Sequence, residues 1–211
     1  MSENKVIPED LKVINLGLPK SGTTTLAKAL RRAGFTVADW RLRSGPAAGE
    51  FVGQLIYAGY FRSGDPLALL PGYDALTQID VLRDGLNLWP QTDWGVISAI
   101  RAAHPSARFL ASWRDPARLA DSMDRWSDLG RRRVPEADIP GLPAGYGASS
   151  EQKIRWIRAH YRMCRHMFRD ADDYREFDIA DPDAPARIAG CLGVDLPWWG
   201  RANAGAVRQP G

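Results

Sequence analysis

Apolar positions along this chain switch repeatedly between a strand-like and a helical period, and each switch predicts an element boundary. Val13-Ile14-Asn15-Leu16 is a short, mostly apolar run that reads as a buried strand. Beyond the stretch from Gly17 to Thr25, the positions Leu26, Ala29, Leu30 and Ala33 recur at helical spacing. Gly34 suits a helix C-cap, and Phe35-Thr36-Val37-Ala38 is a second short strand, completing a βαβ unit. Tyr73 to Ile79 reads as the next strand, ending at Asp80. Thr92 or Asp93 then caps a helix with Val96, Ile97, Ile100 and Ala103 on one face, closed by His104-Pro105. Ala107 to Ser112 is a further strand, and Pro116 fits the first turn of the helix that follows. Ser149-Ser150-Glu151-Gln152 offers a capping box to a long helix ending near Arg169, whose Ile154, Ile157, Tyr161, Cys164 and Phe168 form one core stripe. Tyr174 to Ile179 is the last strand, and a helix through Ile188 and Cys191 follows it. Strands alternating with helices imply a three-layer α/β/α fold around a mainly parallel sheet.

Two stretches break the rhythm. Residues 44–72 interleave glycines and prolines with Phe51, Tyr57, Tyr60 and Phe61, with only a weakened helix expected around Glu50 to Phe61. Residues 127–148 carry Arg131-Arg132-Arg133 and then a series of prolines and glycines. Both read as irregular insertions, suited to a lid, a substrate wall or plain surface packing.

Composition narrows the class more than the function. At 211 residues, 45% hydrophobic and 25% charged, the chain is expected to be one soluble domain, 1–211, rather than a disordered or fibrous protein. A formal charge of +3 is too weak to argue for nucleic acid, although it suits a multiply charged small anion. With only Cys164 and Cys191 there is neither a disulfide framework nor C-x-x-C metal spacing, and His160 and His166 add no metal set. The N-terminus lacks the apolar core of a signal peptide and no run approaches the roughly 20 apolar residues of a membrane span. A cytoplasmic location is the expectation.

The chemistry is concentrated in Gly17-Leu18-Pro19-Lys20-Ser21-Gly22-Thr23-Thr24-Thr25. A tight loop between a strand and a helix start gathers unpaired N–H groups and the positive end of the helix dipole at one spot, which is an anion site. The glycine spacing matches a Walker A loop, but Thr23 follows Gly22 where a nucleotide triphosphatase carries lysine. The lysine stands inside the loop, as Lys20.

Pro19-Lys20-Ser21-Gly22-Thr23-Thr24 resembles the 5′-phosphosulfate loop of sulfotransferases, P-K-[ST]-G-T-[TS]. A second match lies downstream, where Arg114 ends a strand, Asp115-Pro116 follows, and Ser122 stands eight positions after the arginine. That interval is similar to the family's 3′-phosphate motif. Leu192-Gly193-Val194-Asp195-Leu196-Pro197 also resembles the ending of bacterial members, after which Arg201-Ala202-Asn203 would occupy the loop over the donor. The R-K-G-x-x-G-x-W element of soluble animal enzymes is absent from the sequence.

The resemblance implies a P-loop-like fold, 3′-phosphoadenosine 5′-phosphosulfate (PAPS) as donor and no required metal. Lys20, Ser21, Gly22, Thr23, Thr24 and Thr25 would hold the 5′-phosphosulfate, with Lys20 balancing charge on the leaving oxygens, while Arg114 and Ser122 would meet the 3′-phosphate. The acceptor is expected to be a small molecule or glycan presenting a hydroxyl or amine. Its base would be a carboxylate at a strand end, Asp80 ahead of Asp39. Two rival readings stay open: a P-loop kinase using ATP and Mg²⁺, and a nucleotide-binding protein without catalysis.

Overall fold

The structure is a computed structural model and describes residues 7–200 of the chain. Strand β1 (Val13–Asn15) is followed by helix α1 (Thr23–Arg32), strand β2 (Val37–Ala38), helix α2 (Val52–Ser63) and strand β3 (Ala75–Leu76). Next come β4 (Val81–Arg83), β5 (Leu86–Leu88), α3 (Trp94–Ala103), β6 (Arg108–Trp113) and α4 (Pro116–Asp124). The chain continues through α5 (Val134–Glu136), α6 (Ser150–Met167), β7 (Tyr174–Asp178) and α7 (Ala184–Leu192). The resemblance drawn at Arg201-Ala202-Asn203 lies outside the described residues.

Five strands form one sheet in the order β2-β3-β1-β6-β7, and every neighbouring pair is parallel. The sheet is the parallel layer that the alternating pattern predicts, and it agrees with the P-loop-like fold that the resemblance implies. Side-chain alternation divides the core: Ile14, Leu76, Phe109 and Ala111 face a layer that includes Val96, Ile97, Ile157 and Tyr161. Val13, Ala75, Leu110 and Phe177 face Leu26 and Leu30 of α1 and Ile188 and Leu192 of α7. Chain order reverses at β1, which lies between β3 and β6, so the crevice beyond its carboxyl end is where a ligand settles in such a sheet.

Three departures from the sequence reading have physical reasons. The expected strand from Tyr73 to Ile79 shortens to Ala75–Leu76. Its pairing continues only through Thr77 N to Ala38 O (3.1 Å) and Trp40 N to Gln78 O (2.8 Å). Beyond Asp80 an antiparallel hairpin appears, β4 with β5. Asp84 and Gly85 at its tip have φ of 56° and 80°, as a two-residue primed turn demands. Helix α2, expected to be weakened by its glycines, runs over 12 residues. Those glycines serve close approach: a Cβ at Gly53 would stand 2.3 Å from Ile79 O, and one at Gly59 would stand 2.7 Å from Asp65 O.

Capping follows the sequence closely. Asp93 Oδ1 accepts from Gly95 N and Val96 N, Asp115 accepts from Arg118 N, and Ser149 and Gln152 form the reciprocal box ahead of α6. His104, which reads as a surface residue at the far end of the sheet, is half-buried and meets Asp65 Oδ1 at 2.9 Å.

Candidate active site

The loop between β1 and α1 is set from beneath by buried polar groups. Asn15, fully buried, donates to Thr77 O (2.7 Å) and Ser112 Oγ (3.2 Å) and accepts from Ser112 N (2.9 Å), joining β1 to both neighbouring strands. His160 Nε2 donates to Leu16 O at 2.8 Å, and Tyr161 Oη donates to Ser112 O at 2.7 Å while accepting from Leu18 N at 3.4 Å. The loop therefore rests on α6. Gly17 permits this compactness, since a Cβ there would fall 2.0 Å from Ser112 Oγ. Gly22, the N-cap of α1, has φ 117°, and a Cβ on it would meet Ile179 at 2.6 Å. Thr25 N and Leu26 N both donate to Gly22 O, so the amides ahead of them belong to the open first turn of the helix.

A cleft of about 890 Å³ opens at this end of the sheet, within the roughly 300–1,000 Å³ typical of small-molecule sites. It brings together Lys20, Gly22, Thr23, Thr24 and Thr25 from the loop with Arg114 and Ser122 from the β6–α4 segment. Asp39 and Asp80 line the same cleft. Ser21 does not: it is fully buried, its Oγ 2.6 Å from Ser112 Oγ, so its hydroxyl braces the loop.

Lys20 has φ 72°, a left-handed conformation that is uncommon outside glycine and that aims its side chain across the cleft. Its Nζ lies 3.3 Å from the centroid of the Trp126 ring. Burial, helped by the neighbouring Arg114 guanidinium, holds the ammonium down at about 8.

The two carboxylates owe their proximity to β-register. The pairing of β2 with β3 carries Asp39 beside Thr77, whose Oγ1 donates to Asp39 Oδ1 at 2.9 Å. Asp80 is buried, and its carboxylate accepts from Gln78 Nε2 (3.3 Å) and Gln91 Nε2 (3.4 Å). Burial raises Asp80 to about 7, with Asp39 pushing in the same direction and the two amides opposing it. Asp39 is also raised by burial, against the hydrogen bond from Thr77. Thr23 Oγ1 donates to Gln78 Oε1 at 3.4 Å, so a hydrogen-bonded chain links the start of α1 to Asp80. Among the described residues no group of His, Cys, Asp and Glu is placed to hold a metal ion.

A family model described as a sulfotransferase domain matches residues 12–180. The chain belongs to the sulfotransferase family. The matched span runs from the start of β1 to just past β7 and contains every loop, strand-end and carboxylate residue discussed above. No curated protein matches the sequence. The family's chemistry is sulfuryl transfer, and the crevice of this sulfotransferase lies at the carboxyl ends of its parallel strands.

Several cleft residues escape a reading by motif. Arg118 lines it from α4, Trp126 from the turn after α4, and Leu129 and Arg133 from the π-helical turn Leu129–Arg133. Leu82 and Arg83 enter from the hairpin, and Trp199 from beyond α7. Of the three adjacent arginines, Arg132 and Arg133 are held by Asp128, and Arg133 also donates to Leu82 O. The signal available for Asn15 was one polar residue inside an apolar strand. For the hairpin it was Asp84-Gly85 between Val81-Leu82-Arg83 and Leu86-Asn87-Leu88.

Proposed function

We propose that this sulfotransferase uses PAPS as donor and moves its sulfuryl group to the hydroxyl or amine of a small-molecule or glycan acceptor. The observation that carries the reading is the convergence, in one cleft, of the Lys20 loop, the Arg114 and Ser122 pair and a buried carboxylate raised toward neutrality. A 3′-phosphate separates this donor from ATP, and an arginine fork with a nearby hydroxyl suits it. In this assignment the open first turn of α1, with Lys20, Thr23, Thr24 and Thr25, holds the 5′-phosphosulfate. Gly22 allows the close approach. Ser21 supports the loop through Ser112 and contributes no side chain to the donor.

The donor supplies an activated sulfuryl group. Lys20 offsets negative charge developing on the leaving oxygen, and fixed loop amides do so without reorganising. Asp80 takes the acceptor's proton, and its elevated basicity at neutral pH suits that task. Asp39, beside it, keeps that basicity high through like-charge repulsion.

Calorimetric titration with 3′-phosphoadenosine 5′-phosphate, ADP and ATP, each with and without Mg²⁺, tests the donor assignment. The expected result is metal-independent preference for the 3′-phosphorylated nucleotide, weakened about 10- to 100-fold in Arg114→Ala, as loss of a charge-assisted pair warrants. Preference for ATP with Mg²⁺ overturns the assignment in favour of a kinase. Nucleotide binding without sulfate release or transfer from PAPS leaves a binding protein.

A further inference from the structure

Trp126 is a large aromatic side chain that is 53% exposed, yet its ring is in contact with the one lysine of the phosphate loop. An ammonium over the face of an indole is attracted by the ring quadrupole, by about 0.5–2 kcal/mol depending on how far water is excluded. The contact is built from both sides. On one side, the left-handed backbone at Lys20 directs its side chain. On the other, the turn after α4 is held rigidly where it carries the indole.

Four observations fix that turn. Trp126 N donates to Met123 O and Leu129 N to Trp126 O, each at 3.1 Å, closing the backbone on either side of the indole. Ser127 has φ 52°, a left-handed non-glycine residue like Lys20 and Trp40, which line the cleft. Gly130 lies so close to the end of α4 that a Cβ would fall 2.3 Å from Asp124 Oδ1 and 2.7 Å from its amide nitrogen. Beneath it, Lys153 is 1% exposed; its Nζ donates to Gly147 O (2.8 Å), Ala148 O (3.2 Å) and Gly130 O (3.4 Å) and pairs with Asp124 Oδ1 at 3.1 Å. A buried ammonium with this many partners is costly to disturb. Left-handed strain of this kind persists where the surroundings over-determine it, and such positions gather at functional sites.

We propose that Trp126 is a positioning residue for sulfuryl transfer: its indole holds the Lys20 ammonium at the reacting end of the cleft before the donor arrives, then walls the sulfuryl group from water. The proposal rests on the donor assignment above. Without donor, Lys20 is kept extended over the ring rather than free in solvent, so little side-chain freedom remains to be lost on binding. With donor, the ammonium turns from the π-face to the phosphosulfate oxygens, and the indole stays beside them as an apolar wall. What the wall suppresses is donor hydrolysis. In that side reaction the oxygen of water forms a new bond to sulfur, one water proton passes to Asp80 and then, like the other, to solvent, and the bond from sulfur to the 5′-phosphate oxygen breaks. The products are inorganic sulfate and 3′-phosphoadenosine 5′-phosphate.

The test uses the full chain and two variants, Trp126→Ala and Trp126→Phe, with two readouts. Tryptophan emission is followed while 3′-phosphoadenosine 5′-phosphate is titrated, and sulfate release from PAPS is followed without acceptor. Trp40 and Trp199 also line the cleft, so wild type is expected to show an emission change on titration that Trp126→Phe diminishes by the Trp126 share. Trp126→Ala is expected to release sulfate at least about five-fold faster than wild type, with Trp126→Phe, which keeps a ring over Lys20, close to wild type. A merely structural tryptophan would not give a hydrolysis increase reversed by phenylalanine. Equal sulfate release in all three proteins, or an unchanged emission response in Trp126→Phe, overturns the proposal while calorimetric donor binding stands. Absence of binding heat in the wild type overturns the donor assignment and the proposal together.

Discussion

Burial acts on Asp80 and Lys20 in opposite chemical senses but toward the same working range. It raises the carboxyl to about 7 and lowers the ammonium to about 8, because in both cases the charged form is the one that loses water. The proposed mechanism needs Asp80 ionised and Lys20 protonated. Acceptor-free sulfate release from PAPS, measured at subsaturating donor, is therefore expected to rise with pH through about 7 and fall through about 8, giving a narrow bell. Asp80→Asn removes the rising limb and lowers the rate by about 10²–10⁴, the usual contribution of a positioned base. Retention of that limb in the variant would assign it to another group, Asp39 being the nearest candidate.

Among elements, the turn from β1 into α1 is the least tolerant of change. Gly22→Ala would place a methyl group against Ile179 at a φ of 117°, so the loop or the segment after β7 must shift. The expected cost is about 1–3 kcal/mol of stability, with donor binding by calorimetry falling beyond detection. Near-normal affinity in that variant would show that the loop tolerates displacement. This turn was readable from sequence because its determinants are local: a strand, two glycines, a lysine and a helix start within a dozen residues. The Arg114 to Ser122 segment was readable for the same reason, through Pro116 and the helical interval. Local signals could not reveal that Ser21 turns inward, since its partner Ser112 lies 91 positions away. Asn15, Tyr161 and Trp126 act through equally distant partners. The glycines of α2 misled because their reason for being small is Ile79 and the Asp65-Pro66 backbone, which no helical propensity contains.

At the scale of the molecule, the parallel sheet and α6 together form the support of the cleft. His160 ties α6 to β1 in its neutral form, and burial lowers it to about 4 from 6.5. Between those values the unfolded chain binds a proton that the folded chain refuses, so this group's contribution to stability is intact above 6.5 and is lost as pH falls toward 4. Thermal melts from pH 7 to 4 are expected to show a shallower decline in His160→Gln, whose amide can donate to Leu16 O without titrating. A decline as steep as in the wild type would place the acid sensitivity elsewhere.

The two halves of the cleft are carried by separate pieces of β-structure. The loop with Lys20 belongs to the five-stranded sheet and its buried hydrogen bonds, whereas Leu82 and Arg83 belong to a two-stranded hairpin that shares no ladder with it. The hairpin's ladder is independent of the register of the strands beneath the loop with Lys20. The cleft thus joins a floor whose strands are registered to one another with a wall that carries its own ladder, so a change of turn at Asp84-Gly85 leaves the pairing of β1 with β3 and β6 in place.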